Sequence, residues 1–154
     1  MIIHQLYTKC LSESAYYIES NGEAAVVDPL RETAPYIKMA EVDEAKIKYI
    51  FLTHFHADFV SGQYDLARKT GARIIFGPNA TAEYNIYNGA DGEDFFVGNG
   101  KITLLHTPGH TMESSSYLIT DEDGNTPCVL TGDALFIGDV GRPDLAVKEG
   151  DLTE

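Results

Sequence analysis

Three of the five histidines in this sequence stand in two short segments that could bind a metal ion. His54 and His56 lie in residues 53–58, and His110 lies in residues 107–111. Each segment follows an apolar run that favours a β-strand and precedes small residues that favour a turn. In a loop that leaves a strand, His54 and His56 can converge on one centre, and imidazole nitrogens are common metal ligands.

Asp133 follows a third apolar run in the same way, within Thr131-Gly132-Asp133. Three such strand ends at one edge of a sheet would form one site. The set His54, His110 and Asp133 offers two imidazoles and one carboxylate, which suits iron(II), zinc or manganese. An HxH pair alone is common and a Gly-Asp pair usually marks a turn. The ordered series of all three motifs nevertheless favours a metal site.

The remaining histidines and the cysteines favour structural roles. His4 and His106 lie within strand-like runs, where hydrogen-bonded histidines are common. The two cysteines, Cys10 and Cys128, form no CxxC motif, which excludes a disulfide framework and fits a reducing compartment.

Strand-like runs alternate with helical patterns, which predicts an α/β fold. Asn21-Gly22 predicts a hairpin turn, Pro35 the first turn of a helix reaching about Val42, and residues 61–70 a second helix. The tail from Gly138 to Glu154 lacks apolar periodicity and is predicted to be irregular. Strands are predicted at residues 2–7, 16–19, 24–28, 49–53, 73–76, 95–97, 102–105, 115–120 and 127–131.

Composition limits the classes of function. The 154 residues, 44% hydrophobic and 23% charged, fit one globular domain. A formal charge of −13 without clustered cations argues against nucleic acid as a partner. No run approaches the ~18 apolar residues of a membrane span, and residues 1–5 lack the features of a secretory signal. We therefore expect a cytoplasmic protein with no membrane partner.

On these motifs the sequence resembles the metallo-β-lactamase superfamily, in which an HxHxDH loop after a strand precedes a later histidine and a bridging aspartate. His54 and His110 are 56 positions apart, and His110 and Asp133 are 23 apart, which resembles the glyoxalase II and persulfide dioxygenase branch. Residues 107–111 and 131–144 resemble the persulfide dioxygenases, including those fused to rhodanese domains. The resemblance implies a four-layer α/β/β/α sandwich, of which residues 1–154 would be the N-terminal part. The rest of that domain and any rhodanese domain would lie outside this chain.

The sequence departs from the superfamily pattern at one informative position. Phe59 stands where the HxHxDH loop has a histidine for a second metal, and a phenyl ring cannot bind one. The resemblance then implies a single Fe(II) per chain held by His54, His110 and Asp133, with zinc as a substitute. His56 and Asp58 would surround these ligands, orienting them or moving protons.

The resemblance implies oxidation of a low-molecular-weight persulfide, of glutathione or a similar thiol, by dioxygen to sulfite and thiol. A glyoxalase II-like thioester hydrolase and an inactive metal-binding fragment are the alternatives, and Phe59 argues against the hydrolase. Arg142 could bind an anionic substrate group or a carboxylate of the scaffold, and we leave both open, as we do self-association into a homo-oligomer. We expect Asp139 and Asp144 to be structural.

Overall fold

The computed structural model describes residues 1–143, in which two helices and twelve strands form two packed sheets and one short hairpin. The helices are α1 (Ala34–Val42) and α2 (Gln63–Thr70), and a single 3₁₀ turn covers Gly132–Ala134. The strands are β1 (Ile2–Thr8), β2 (Glu13–Ser20), β3 (Glu23–Val27), β4 (Lys46–Phe51), β5 (Arg73–Phe76), β6 (Tyr87–Asn88), β7 (Asp94–Val97), β8 (Gly100–His106), β9 (Ser115–Thr120), β10 (Cys128–Leu130), β11 (Leu135–Phe136) and β12 (Asp139–Val140).

The first sheet contains β1 to β6 in chain order. Its first three strands are antiparallel, whereas β3, β4, β5 and β6 run parallel to one another. Both faces are buried: Ala24 and Val26 of β3 pack with α1 and α2, and the alternate residues Ala25 and Val27 face the second sheet. Burial on both faces explains the apolar runs at residues 24–27 of β3 and 49–51 of β4.

The second sheet is an antiparallel meander in the order β10-β9-β8-β7. An aromatic cluster joins it to the first sheet, since the Phe51 ring lies 4.8 Å from that of Tyr117 and 5.3 Å from that of Phe95, centroid to centroid. Tyr117 also donates a hydrogen bond of 2.7 Å to the carbonyl of Leu52. These contacts fix the end of β4 against the second sheet, and His54 lies only three residues beyond Phe51.

The predicted α/β sandwich is confirmed as helices, first sheet and second sheet. Within residues 1–143 no helix covers the outer face of the second sheet, and none is long and apolar enough to cross a membrane. The turn at Asn21-Gly22 forms with positive φ at both residues, as a tight hairpin requires. β5 has the predicted bounds Arg73–Phe76.

Some boundaries were wrong. β4 begins at Lys46 and ends at Phe51, two residues before the predicted end, because the backbone turns at Thr53. The predicted irregular tail contains β12, which pairs with β11 just before the tail, and a two-residue strand has too few residues to show periodicity. Asp144 and the rest of the predicted tail lie outside the described residues.

Neighbouring phenylalanines on β7 test which face of the second sheet forms the core. Phe95 is 4% exposed and contacts the Phe51 and Tyr49 rings, whereas Phe96 is 60% exposed. We expect Phe95→Ala to lower the free energy of unfolding by about 3–5 kcal/mol through the cavity it leaves. Phe96→Ala should change it by about 0.5 kcal/mol or less. Urea unfolding of both variants measures the difference, and equal losses would contradict the packing described here.

Candidate metal centre

The loop that carries His54 is held by the buried carboxylate of Asp28, which directly follows β3. Asp28 accepts hydrogen bonds of 2.8 Å from both the main-chain N–H and the hydroxyl of Thr53. Its backbone has a φ of +48°, a conformation that Asp tolerates better than most residues. At the far end of the loop, the N–H of Gly62 donates to the carbonyl of Pro29 at 2.7 Å. The loop is therefore anchored at both ends to the segment that leaves β3.

The hydrogen bonds of Thr53 determine the tautomer of His54. The Thr53 hydroxyl has one proton, and it donates that proton to Asp28. The same hydroxyl oxygen lies 3.0 Å from Nδ1 of His54, so it must accept a hydrogen bond from Nδ1–H. The lone pair of His54 is then on Nε2. Burial and the neighbouring His56 hold the pKa of His54 below its ordinary value, which favours the neutral ring that a metal requires.

His110 has the same tautomer for a similar reason. Its Nδ1 lies 3.1 Å from the carbonyl oxygen of Arg142, which can only accept a hydrogen bond, so Nδ1 carries the proton. Its Nε2 faces Oδ2 of Asp133 at 3.5 Å. Gly141 permits this approach, because a Cβ at that position would overlap the carbonyl of Asp133.

The three side chains fit a divalent metal ion. The ligand atoms of His54, His110 and Asp133 all lie within 4.8 Å of one another. Two atoms bound at 2.0–2.2 Å to one ion are separated by about 3.0–3.5 Å when the angle between them is between square and tetrahedral. The 3.5 Å between His110 and Asp133 agrees with that separation. Both imidazoles also hold their Nδ1 proton in a hydrogen bond, as metal-binding histidines usually do.

His56 lies beside this group and pairs with Asp28. Its ring centroid is 4.2 Å from that of His54, and its Nε2 is 3.1 Å from Oδ1 of Asp28. Burial alone would lower the pKa of His56, but Asp28 and Glu13 raise it above the ordinary value. The ring of Phe59 packs 4.4 Å from that of His56. Asp58 is exposed, and it is not among the three side chains that converge.

Arg142 reaches this site through its main chain, as the acceptor for His110. Asp139 accepts a hydrogen bond from the N–H of Val140, the structural role expected of it. The side chain of His106 contacts the carbonyl of Met112 at 3.0 Å, also as expected. A cavity of about 530 Å³, bordered by His56 and Asp133, opens between the β1–β2 hairpin and the β11–β12 hairpin.

The sequence prediction needs one correction and one addition. The three strand ends come from two sheets, since His54 follows β4 of the first sheet whereas His110 and Asp133 follow strands of the second. Asp28 and Thr53 were missed as residues of the site. The position of Asp28 at the end of β3, parallel to β4, was a usable signal, because carboxyl ends of parallel strands meet at one edge.

Comparisons with known proteins agree with the fold. The family model described as Metallo-beta-lactamase superfamily matches residues 8–153. The chain therefore belongs to the metallo-beta-lactamase superfamily, a superfamily of enzymes.

Three proteins show which members of that superfamily this chain is similar to. Hydroxyacylglutathione hydrolase cytoplasmic from Arabidopsis thaliana is 33% identical over 88% of this chain and 54% of its own length. The crystal structure of ETHE1 from Myxococcus xanthus matches with a TM-score of 0.83 and 31% identity, over 95% of this chain and 63% of that one. A metallo-beta-lactamase from Staphylococcus aureus subsp. aureus COL matches with 0.81 and 39%, over 94% and 47%. This chain spans about half the length of the curated relatives it matches.

Removing any one of the three converging side chains should abolish tight metal binding, because three ligands leave no redundancy. We expect His54→Ala, His110→Ala and Asp133→Ala each to lose the divalent metal with which the parent protein can be loaded. Phe59→Ala, in the same loop, is the control and should keep it. Metal analysis after loading and desalting is the measurement, and full metal occupancy in His110→Ala would show that the ligand set is wrong.

The Thr53 hydroxyl should matter to metal affinity even though it does not belong to the converging group. We expect Thr53→Val to weaken zinc binding by about 10–100-fold, because His54 loses the acceptor that fixes its tautomer. Thr53→Ser keeps the hydroxyl and should bind zinc as tightly as the parent protein. Competition with a chromophoric chelator measures both affinities. Equal affinities for the Val and Ser variants would contradict the tautomer argument.

Proposed function

We propose that this protein oxidises a low-molecular-weight persulfide to sulfite and thiol, with iron(II) held by His54, His110 and Asp133. The observation that carries the proposal is a two-histidine, one-aspartate group beside which Phe59, rather than a histidine, packs on His56. Two-metal hydrolysis would need ligands for a second ion at that place. The similarity to ETHE1 from Myxococcus xanthus also favours this branch of the superfamily.

The proposed reaction is R–S–SH + O₂ + H₂O → R–SH + SO₃²⁻ + 2 H⁺. The persulfide loses four electrons in total and dioxygen accepts four, so no further reductant is needed. His54, His110 and Asp133 would hold the iron(II), which would supply the transfer of electrons from the persulfide to dioxygen. The protein itself must place the persulfide and keep both imidazoles neutral and oriented.

Several described residues serve these needs. The Asp28–Thr53 pair orients His54, and the Arg142 carbonyl orients His110. The lining of the cavity beside Asp133 is mixed: Leu135, Phe136 and Ile137 form an apolar part, which suits a sulfur-bearing substrate, and the residues of the β1–β2 hairpin form a polar part. His56 borders this cavity. We propose that His56 and the exposed Asp58 of the same loop orient the metal-binding side chains or move protons.

A glyoxalase II-like thioester hydrolase is the second candidate. It is favoured by the Arabidopsis thaliana relative, whose name is that of a hydroxyacylglutathione hydrolase. Both reactions release a thiol from a small substrate, so the same cavity could serve either. They differ in the metal, because hydrolysis needs only an activated water whereas persulfide oxidation needs an ion that can exchange electrons.

The metal dependence of activity separates the two candidates. Zinc competes well for such ligands, so protein as purified could contain the wrong ion. We expect anaerobic reconstitution with iron(II) to give oxygen consumption with glutathione persulfide, and the zinc form to give none. Hydrolysis of S-lactoylglutathione by the same two preparations is the comparison. A zinc form that consumes oxygen as fast as the iron form would overturn the dioxygenase proposal, and a zinc form that only hydrolyses the thioester would favour the hydrolase.

A further inference from the structure

A cavity on the helix side of the first sheet shares no residue with the metal centre or with the cavity beside it. It has a volume of about 320 Å³ and lies between α2, the start of β5 and the segment that leads into β6. This volume lies within the range of small-molecule sites, roughly 300–1,000 Å³. Its aromatic and charged lining residues are Tyr64, Arg68, Arg73, Tyr84 and Tyr87, and the remainder is alanine, isoleucine and one asparagine.

Both arginines of this cavity are positioned by aromatic rings rather than by carboxylates. The Arg73 guanidinium lies 3.8 Å from the centroid of the Tyr87 ring, and the Arg68 guanidinium lies 5.9 Å from that of Tyr64, one turn earlier on α2. Neither arginine forms an ion pair with a carboxylate of residues 1–143. A guanidinium that lies over a ring keeps its N–H groups, which lie in its own plane, for another partner.

The tyrosine rings of the cavity are also held in place. Gln63 donates a hydrogen bond of 2.7 Å to the hydroxyl of Tyr84, and the Tyr87 hydroxyl donates one of 2.8 Å to Glu93. The Tyr64 and Tyr84 rings have centroids 5.4 Å apart. Aromatic rings and guanidinium planes held in this way are flat surfaces on which a planar ring can stack.

The charge of the lining favours an anion. The described lining contains two arginines and no aspartate or glutamate, in a protein whose formal charge is −13. The cavity at the metal centre is the opposite, since its described lining has three acidic residues and no lysine or arginine. A phosphate monoester carries a charge between about −1.5 and −2 at neutral pH and accepts paired hydrogen bonds from guanidinium groups. It therefore matches two arginines better than a single carboxylate does.

We propose that this cavity binds a nucleoside monophosphate, with its phosphate bound by the guanidinium groups of Arg68 and Arg73 and its base stacked on the tyrosine rings. The cavity supplies the two kinds of contact that such a ligand needs, in-plane donors for the phosphate and flat surfaces for the base. Both arginines are exposed, so added salt should weaken the binding. The site needs no metal and does not depend on the proposed persulfide reaction.

Calorimetric titration of the protein with AMP, adenosine and ribose 5-phosphate tests both kinds of contact. We expect one AMP to bind per chain, and adenosine and ribose 5-phosphate each to bind about 10-fold or more weakly, because each lacks one of the contacts. Arg68→Gln and Arg73→Gln should each weaken AMP binding about 10–100-fold. Arg31→Gln removes the same charge from an exposed position outside the cavity and should bind AMP as the parent protein does.

Two further variants separate the base contact and the metal centre from the phosphate contact. Tyr64→Leu should weaken the binding of AMP more than that of ribose 5-phosphate, and since Tyr64 is 47% exposed, circular dichroism should show an unchanged fold. His110→Ala should bind AMP as tightly as the parent protein.

Four results would overturn the proposal. They are no saturable binding of AMP up to about 5 mM, equal losses of AMP affinity in Arg31→Gln and Arg73→Gln, equal affinities for AMP and either of its two fragments, and loss of AMP binding in His110→Ala. The last result would place the nucleotide at the metal centre instead.

Discussion

The buried contact between Asp28 and Thr53 is the interaction on which the site depends. It joins the ends of two parallel strands, β3 and β4, at the point where the backbone leaves the sheet. Because Thr53 has a single hydroxyl proton and Asp28 takes it, the Thr53 oxygen is left as an acceptor for His54. One carboxylate therefore fixes the backbone, the hydroxyl and, through it, the tautomer of an imidazole. A charged group buried at this depth is costly unless it is fully used, and here both oxygens accept a hydrogen bond.

The second constraint is the approach of the two sheets at the same edge. The N–H of Ser115, at the start of β9, donates to the carbonyl of Thr53, and the hydroxyl of Tyr117 donates to that of Leu52. The carbonyls just after β4 thus accept hydrogen bonds from donors of the other sheet. These bonds fix the position of the His54 loop relative to the His110 loop. Gly132 completes the approach, because a Cβ there would overlap the side chain of Thr53.

The contacts of His54 and His56 explain why these two residues of one short loop have different roles. His54 has a hydroxyl acceptor on Nδ1 and turns Nε2 toward His110 and Asp133, whereas His56 directs Nε2 to Asp28. Phe55, between them, stacks on Phe76 with ring centroids 4.4 Å apart and so points away from both. Successive side chains of the loop therefore point to opposite sides, with both imidazoles on one side. The hydrogen-bond partner of each imidazole then determines which of its nitrogens can bind a metal.

The sequence by itself determined most of the longer elements and the three side chains that converge. Hairpin chemistry at Asn21-Gly22, the apolar runs of β3 to β5 and the motifs around His54, His110 and Asp133 are local signals. They depend on neighbours within a few residues and can be recognised from residue types and spacing. The class of fold also followed, because an α/β pattern and ordered motifs restrict the topology strongly.

Only the tertiary structure decided that the site is built from two sheets, that Asp28 supports it and that Glu13 lies beside His56. These relations join residues more than 20 positions apart, and nothing in the local sequence of Glu13 distinguishes it from a surface acid of this protein, whose net charge is −13. The tautomers of His54 and His110 were equally beyond the sequence. They depend on the single proton of one hydroxyl and on a main-chain carbonyl at position 142, and both are positioned by packing rather than by the sequence pattern.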